Sequence, residues 1–320
     1  MKVAIVALVG CVAALALFAV SAPQTTALFQ ANWEVEQEFI RFVAHNRRSY
    51  GTREEYRFRF EQFQRNLSTI SAMNASNDGA VYGVNEFADW TEEEFNTLLG
   101  LRVPSTLTAG TYVPNVEALA EVDWVAEGKT APVKNQAMCG SCWAFAAIGA
   151  LESRLAIANN GDVQEYSEQQ LVDCSRSYGN MGCNGGWMDY AFAYMKDEDE
   201  HESNDYRYVG RDESCKTVGG NTVRDTGFTD LAQSQDALEK ALTQGPVSVA
   251  VDASRWSSYR GGIFSSCGTR LNHGVLAVGY TADYWTIKNS WGTSWGEKGF
   301  MRLAKGNTCG ILQVASYPTL

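Results

Sequence analysis

An apolar run from Val3 to Val20 follows Met1-Lys2 and stops at Ser21, Ala22 and Pro23. A positive start, an apolar stretch and small residues at its end predict a secretory signal peptide over residues 1–21, with Ala19-Val20-Ser21 fitting cleavage before Ala22. The run approaches the length of a bilayer span, so a membrane anchor is the competing reading. Beyond it the pattern turns polar, and no later segment is apolar enough to cross a membrane. Glu55, Arg59, Phe63, Asn66, Ile70 and Asn74 recur at every third or fourth position, which keeps them along one helix face. Arg102 to Val116, rich in Pro, Thr, Gly and small residues, predicts an extended connector without a core of its own. Trp143 to Ile157 is apolar nearly all round apart from Glu152-Ser153-Arg154, the pattern of a buried helix. Ser167-Glu168-Gln169-Gln170 reads as a capping box opening a second helix, and Met188 to Met195 as a third. The acidic run Asp197 to Glu202 reads as a solvated loop. From about Thr222 strands take over: Val247 to Val251, Val275 to Tyr280, Tyr284 to Lys288 and Phe300 to Leu303. Helices first and strands second predict an α+β fold of two lobes behind a helical N-terminal extension.

A chain of 320 residues with 45% hydrophobic content can fill two domains and an extension. Its formal net charge of −11 argues against nucleic acid or an anionic membrane as partner. Of eight cysteines, Cys11 leaves with the signal, so seven enter an oxidising route: Cys139, Cys142, Cys174, Cys183, Cys215, Cys267 and Cys309. An odd number leaves one thiol free, although spacing does not give the connectivity. Asn66-Leu67-Ser68 and Asn74-Ala75-Ser76 are glycosylation sequons, both on the patterned helix.

Cys139-Gly140-Ser141-Cys142-Trp143-Ala144-Phe145 leads the buried helix, and Asn272-His273-Gly274 and Asn289-Ser290-Trp291-Gly292 follow far downstream. The separations of His273 and Asn289 from Cys142 fall inside the roughly 130 to 150 residues found in papain-type enzymes. The chain has three histidines; His45 lies in the extension and His201 in the acidic run, which leaves His273 as the candidate base. From about Trp33 onward the sequence resembles the papain-like cysteine peptidases, in particular their cathepsin L-like branch. The helical pattern from Glu55 to Asn74 matches the ERFNIN signature of that family's inhibitory propeptides, and Gly83-x-Asn85-x-Phe87-x-Asp89 matches the second propeptide motif.

The resemblance implies a papain-like fold with a helical lobe and a β-barrel-like lobe, a propeptide with its connector over 22–117, and a mature peptidase over 118–320. Processing would fall between about 110 and 122, near Val122-Asp123-Trp124. It implies the disulfides Cys139 to Cys183, Cys174 to Cys215 and Cys267 to Cys309, with Cys142 left as nucleophile. At the first helical turn the thiolate would be favoured by the helix dipole and paired with an imidazolium on His273. Asn289 would orient His273, Trp291 would shield that bond, and the Gln136 amide would join the Cys142 N–H in binding the oxyanion. Gly185 and Gly186 would bind the substrate backbone. Trp187, Met188, Ala250, Leu271 and Val314, all apolar, would line the pocket for the second residue before the cut, beside Asn272, with Trp295 over the leaving-group side.

The same resemblance implies polypeptide substrates, an intramolecular propeptide inhibitor, cystatin-type inhibitors, a monomer, and no metal or organic cofactor. Localisation would be the secretory pathway, ending in a lysosome, a vacuole or outside the cell. The chain departs from the pattern at Ala137-Met138 after Gln136, at Asn272 where an Asp is expected, and at the bulky Trp187; it has no His-His loop. A redox reading of Cys139-x-x-Cys142 lacks the preceding strand and leaves Gln136, His273 and Asn289 unexplained. An inactive scaffold is the remaining alternative, disfavoured because all four site residues are present.

Overall fold

The computed structural model describes residues 33–320, Leu107 excepted, so the signal-peptide expectation lies outside the described residues. The chain divides into two compact units at Leu67 and Ser68. In the first, a helix over 33–45 (α1) precedes the start of α2 (Arg53–Ala75). A unit this small has little room for an aliphatic core, and aromatic rings serve instead. Phe39, fully buried, lies 5.2 to 6.1 Å from the rings of Phe42, Tyr50, Tyr56, Phe60 and Phe63. Thr52 Oγ1 accepts from the Glu55 N–H, and the Glu55 carboxylate accepts from the Gly51 N–H, which caps the first turn of α2.

The second unit, Ser68–Leu320, carries the remaining elements. Those from the extension are the end of α2, β1 (Ala80–Tyr82) and α3 (Glu92–Asn96). They are followed by β2 (Val122–Asp123), α4 (Cys142–Ala158), α5 (Glu168–Cys174), α6 (Met188–Asp197), β3 (Glu200–His201), β4 (Thr222–Val223) and β5 (Gly227–Asp230). The chain ends through α7 (Gln235–Gln244), β6 (Val247–Val251), β7 (Tyr259–Phe264), β8 (His273–Tyr280), β9 (Tyr284–Lys288), β10 (Phe300–Ala304) and β11 (Ala315–Thr319). Two apolar clusters correspond to two lobes. One gathers α4, α5 and α6 around Trp143, Leu171 and Phe192; the other gathers α7 and the sheet around Leu242, Val249 and Trp285.

The nine-stranded sheet runs β1-β7-β10-β9-β8-β6-β11-β5, with β2 on β8. It is an open path, so the barrel-like lobe expected from the sequence is corrected to an open sheet. Beyond β5 the connector lies along that edge, Gly110 bridging Ala232 and Tyr112 bridging Leu231. At the other end β1 adds antiparallel to β7, pairing Ala80 with Gly262. Asn74 anchors this strand: its amide donates to the Tyr82 carbonyl and accepts from the Tyr82 N–H, both at 2.9 Å. The Asn74 sequon side chain is therefore engaged by backbone.

Two local expectations change. Ser167 accepts from the Gln170 N–H, but Gln170 does not return the bond; its amide donates to Tyr194 Oη and the Asp199 carbonyl, so the box is half formed. The acidic run is not wholly a solvated loop, because Glu200 pairs with Val223 in β3–β4 and is fully buried. Neither carboxyl oxygen has a hydrogen-bond partner. Desolvation, and next the nearby Glu168, push its pKa well above the ordinary 4.5. A folded pKa raised above the unfolded one means the folded state holds its proton longer, so stability falls as pH rises from about 4.5 toward the folded pKa. Glu200→Gln is expected to remove that loss, giving a higher melting temperature than the parent at pH 7 and a smaller difference at pH 4; equal differences at both would contradict it.

Candidate active site

Cys142 opens α4, and Ser141 at its N-cap contributes no side-chain cap, which leaves first-turn N–H groups open toward the thiol. His273 opens β8, opposite Val251 of β6, so strand register rather than loop geometry fixes it. The two meet because Gly274 has no side chain: a β-carbon there would press on Met188 Sδ and the Trp143 backbone, and its N–H instead points at Cys142 Sγ, 3.4 Å away. Asn289 follows β9, the other neighbour of β8, and its Oδ1 lies 2.9 Å from His273 Nε2. An accepting oxygen there places the hydrogen on Nε2 and leaves the lone pair on Nδ1, which is buried without a hydrogen-bond partner. Trp291 lies over the imidazole at 4.8 Å, tilted by 31°.

Gln136 is fully buried between the lobes. Its Oε1 accepts from Ser290 Oγ at 2.7 Å, and its Nε2 donates to the carbonyls of Cys139 at 2.8 Å and Leu98 at 2.9 Å. Ala137 next to it sits at φ 54°, the left-handed conformation that glycine adopts more easily. The disulfides Cys139–Cys183, Cys174–Cys215 and Cys267–Cys309 are formed, and Cys142 is the free cysteine among the described residues.

The chain's own segment 98–102 lies across these residues. Leu101 bridges Gly186 in parallel and donates to the Asn272 carbonyl at 3.1 Å; the Gly186 N–H donates to Gly100 O and the Arg102 N–H to Gly186 O, each at 2.9 Å. At Gly186 a β-carbon would strike Asn180 and the Trp143 ring, so only glycine leaves room for the backbone pairing. Upstream, the propeptide motif supplies the grip. Asn85 donates to the Ser257 carbonyl at 2.7 Å, and Phe87 and Phe95 stand edge-on to Trp291 at 5.6 and 5.2 Å.

Covered in this way, Cys142 and His273 are both fully buried. Burial pushes the thiol up to about 11 against the pull of backbone N–H groups from Gly274, Gly100, Trp143 and Cys142. It pushes the imidazole down to about 4, against the bond to Asn289 and the nearby Leu98 carbonyl. In the covered site desolvation therefore works against the thiolate–imidazolium pair expected from the sequence, opposing the backbone N–H groups around Cys142 and the Asn289 bond to His273.

The residues expected to face substrate divide. Met188, Ala250, Val314 and Trp187 belong to the buried cluster that includes Leu101, with Leu271 packed against it. Asn272 is held by the Ala253 N–H at 2.9 Å and donates to Ser254 Oγ at 2.8 Å. Trp295 is buried against Trp291 and Trp256, donating to the Trp256 carbonyl. Trp187 and Val314 also line a cavity of about 260 Å³ beside connector residues Pro104, Thr106 and Thr108, but Met188, Ala250 and Leu271 do not. This cavity is not wholly apolar, as Asp189 and Asp230 share it. Asp189 accepts from Ser316 Oγ and Trp187 Nε1, and burial raises its pKa; burial, then Asp189, raise Asp230 to about 6. Nothing in the pattern of α6 marked Asp189 as inward-facing, but its place two residues after Trp187 was the available signal.

Residues 118–319 match the family described as papain family cysteine protease, and residues 39–95 match the cathepsin propeptide inhibitor domain. The chain belongs to the papain family of cysteine proteases and carries its inhibitor propeptide. Within it the likeness is to cathepsin L: cathepsin L 2 of Paramecium tetraurelia is 47% identical over 303 residues, covering 92% of this chain and 93% of that one. Human cathepsin L2 is 40% identical over 96% of this chain and 98% of its own length. The structure of digestive procathepsin L 3 from Tenebrio molitor larval midgut superposes with a TM-score of 0.82 at 36% identity, covering 89% of this chain and 99% of that one. The fold is papain-like, and the protein is a protease zymogen whose propeptide is its intramolecular inhibitor.

A β-carbon on Gly100 would run into the Gly140 backbone. Overpacking of this kind costs about 1–3 kcal/mol, so Gly100→Ala is expected to raise Cys142 alkylation in the unprocessed zymogen by about 5- to 150-fold. Unchanged labelling, read by mass on intact chain, would show that the segment tolerates the clash.

Proposed function

We propose that the mature enzyme is a cysteine endopeptidase working through Cys142, His273 and Asn289. The observation that carries this reading is the free, buried thiol at a helix N-terminus beside a β8 histidine that is bonded to Asn289 at 2.9 Å. With the covering segment gone, water and the open N–H groups of α4 favour the thiolate, and His273 takes the proton. The thiolate attacks the scissile carbonyl, and the Gln136 amide and Cys142 N–H hold the oxyanion in the place that Leu98 O takes on Gln136 in the zymogen. His273 protonates the departing amine, and water then hydrolyses the thioester. Asn289 keeps the imidazole oriented without adding charge.

The substrate backbone would pair with Gly185 and Gly186, as Leu101 and Arg102 do with Gly186. An apolar side chain two residues before the cut would take the place of Leu101 against Trp187, Met188, Ala250, Leu271 and Val314, with Asn272 and Trp295 flanking. The mature enzyme would begin near Val122 and act as a monomer in the secretory route, in a lysosome, a vacuole or outside the cell, open to cystatin-type inhibitors. Acid would loosen the propeptide through charges such as Asp89, Glu55 and Arg59. Among the described residues no helix is long and apolar enough to cross a membrane.

After acid processing, hydrolysis of a Leu-Arg reporter near pH 5 is expected to vanish in Cys142→Ala and to fall about 10²- to 10³-fold in kcat in Gln136→Ala. Residual full activity in the folded Cys142→Ala protein would end this reading. A Phe-Arg reporter should be cut much faster than Arg-Arg; comparable rates would mean that Asp189 or Asp230 admits a basic side chain.

A further inference from the structure

Tyr208 lies outside every motif of the sequence, yet it joins the Gln136 backbone to the side chain of Ser141, the residue before the thiol. Its hydroxyl is 2.7 Å from the Gln136 carbonyl and 2.7 Å from Ser141 Oγ. A carbonyl has no hydrogen to give, so the single phenolic proton goes to Gln136 O, and Ser141 must donate to Tyr208 Oη. The ring is fixed edge-on against Phe145 of α4, centroids 4.9 Å apart. Two residues on, Gly210 turns at φ 69°, where a β-carbon would press on the Ala137 methyl group at 3.1 Å. The Gln136-Ala137 turn is thus held from outside by Tyr208 and Gly210, and from inside by Ser290, whose carbonyl accepts the Gln136 N–H at 2.8 Å.

That turn needs holding. Ala137 keeps a β-carbon in left-handed backbone, a disfavoured conformation that persists only where its surroundings enforce it. We propose that Tyr208 is a positioning residue for the oxyanion site: by gripping the Gln136 carbonyl it keeps the strained turn closed and so aims the Gln136 amide at the developing oxyanion. This rests on the reading of Gln136 as oxyanion donor. A donor displaced by a fraction of an ångström stabilises the transition state less while substrate binding elsewhere is unchanged, so the loss falls on kcat.

The test uses the processed enzyme carrying Tyr208→Phe, which keeps the ring against Phe145, alongside Gln136→Ala and the double variant. Tyr208→Phe is expected to lower kcat about tenfold with KM unchanged. Alkylation of Cys142 by iodoacetamide, a reaction with no oxyanion, should keep its rate. The double variant should be no slower than Gln136→Ala alone, since the tyrosine acts through that amide. A merely structural tyrosine would lower the melting temperature and leave kcat alone, which overturns the proposal. Losses that multiply in the double variant, or alkylation falling in step with kcat, overturn it too, the latter placing Tyr208's effect on the thiol. If Gln136→Ala itself keeps full kcat, the oxyanion reading fails first; if Gln136→Ala is slow and Tyr208→Phe is not, only the present proposal fails.

Discussion

The contact on which the candidate site depends is between the first turn of α4 and the first residues of β8. Gly274 lets the strand backbone come within hydrogen-bond reach of Cys142 Sγ, between Met188 and Trp143. On the strand side the contact is fixed by pairing to β6 and β9. Deeper in, Ser248 of β6 donates to the Ala146 carbonyl of α4 at 2.8 Å, so helix and sheet are tied by more than apolar packing. A thiol from one lobe and an imidazole from the other are thereby placed by a helix and a strand rather than by loops, the more precise kind of support for a site.

The propeptide exploits the same geometry. It adds a strand to β7, sets Phe87 and Phe95 against Trp291, and lays Leu98 to Arg102 across the cleft. Inhibition is steric and also electrostatic, because removing water from both groups favours their neutral forms. A site covered in this way leaves no room for a substrate and disfavours the charged form of its thiol.

How much of this could be read from the sequence follows from the range of the interactions. Cys142, His273 and Asn289 stood out because thiol-based hydrolysis would call for those residue types at that spacing, and the helix of Trp143 to Ile157 was legible because burial demands apolar residues. The three disulfides stood as implied by resemblance, since spacing alone leaves pairing open. Glu200, Asp189 and Tyr208 were not legible. Each is polar, and whether a polar side chain faces water or the interior depends on partners distant in sequence: Val223 for the strand holding Glu200, Ser316 for Asp189, Gln136 for Tyr208. The order of the sheet's edges was likewise hidden, because β1 and the connector at Gly110 to Tyr112 reach them from far away in sequence.

Those edges have a consequence for the protein's life after maturation. Strand β7 is paired by β1 on one side in the zymogen. Loss of the propeptide strips this cover and turns β7 into a bare template for any extended chain, the commonest starting point of sheet-to-sheet aggregation. The strand is poorly suited to that misuse. Gly261 and Gly262 interrupt it, Gly262 at φ 83°, and Arg260, Glu297 and Arg302 surround it with charge. A removable strand thus leaves behind an edge that is short, kinked and ringed by charge, the features that blunt edge-to-edge pairing.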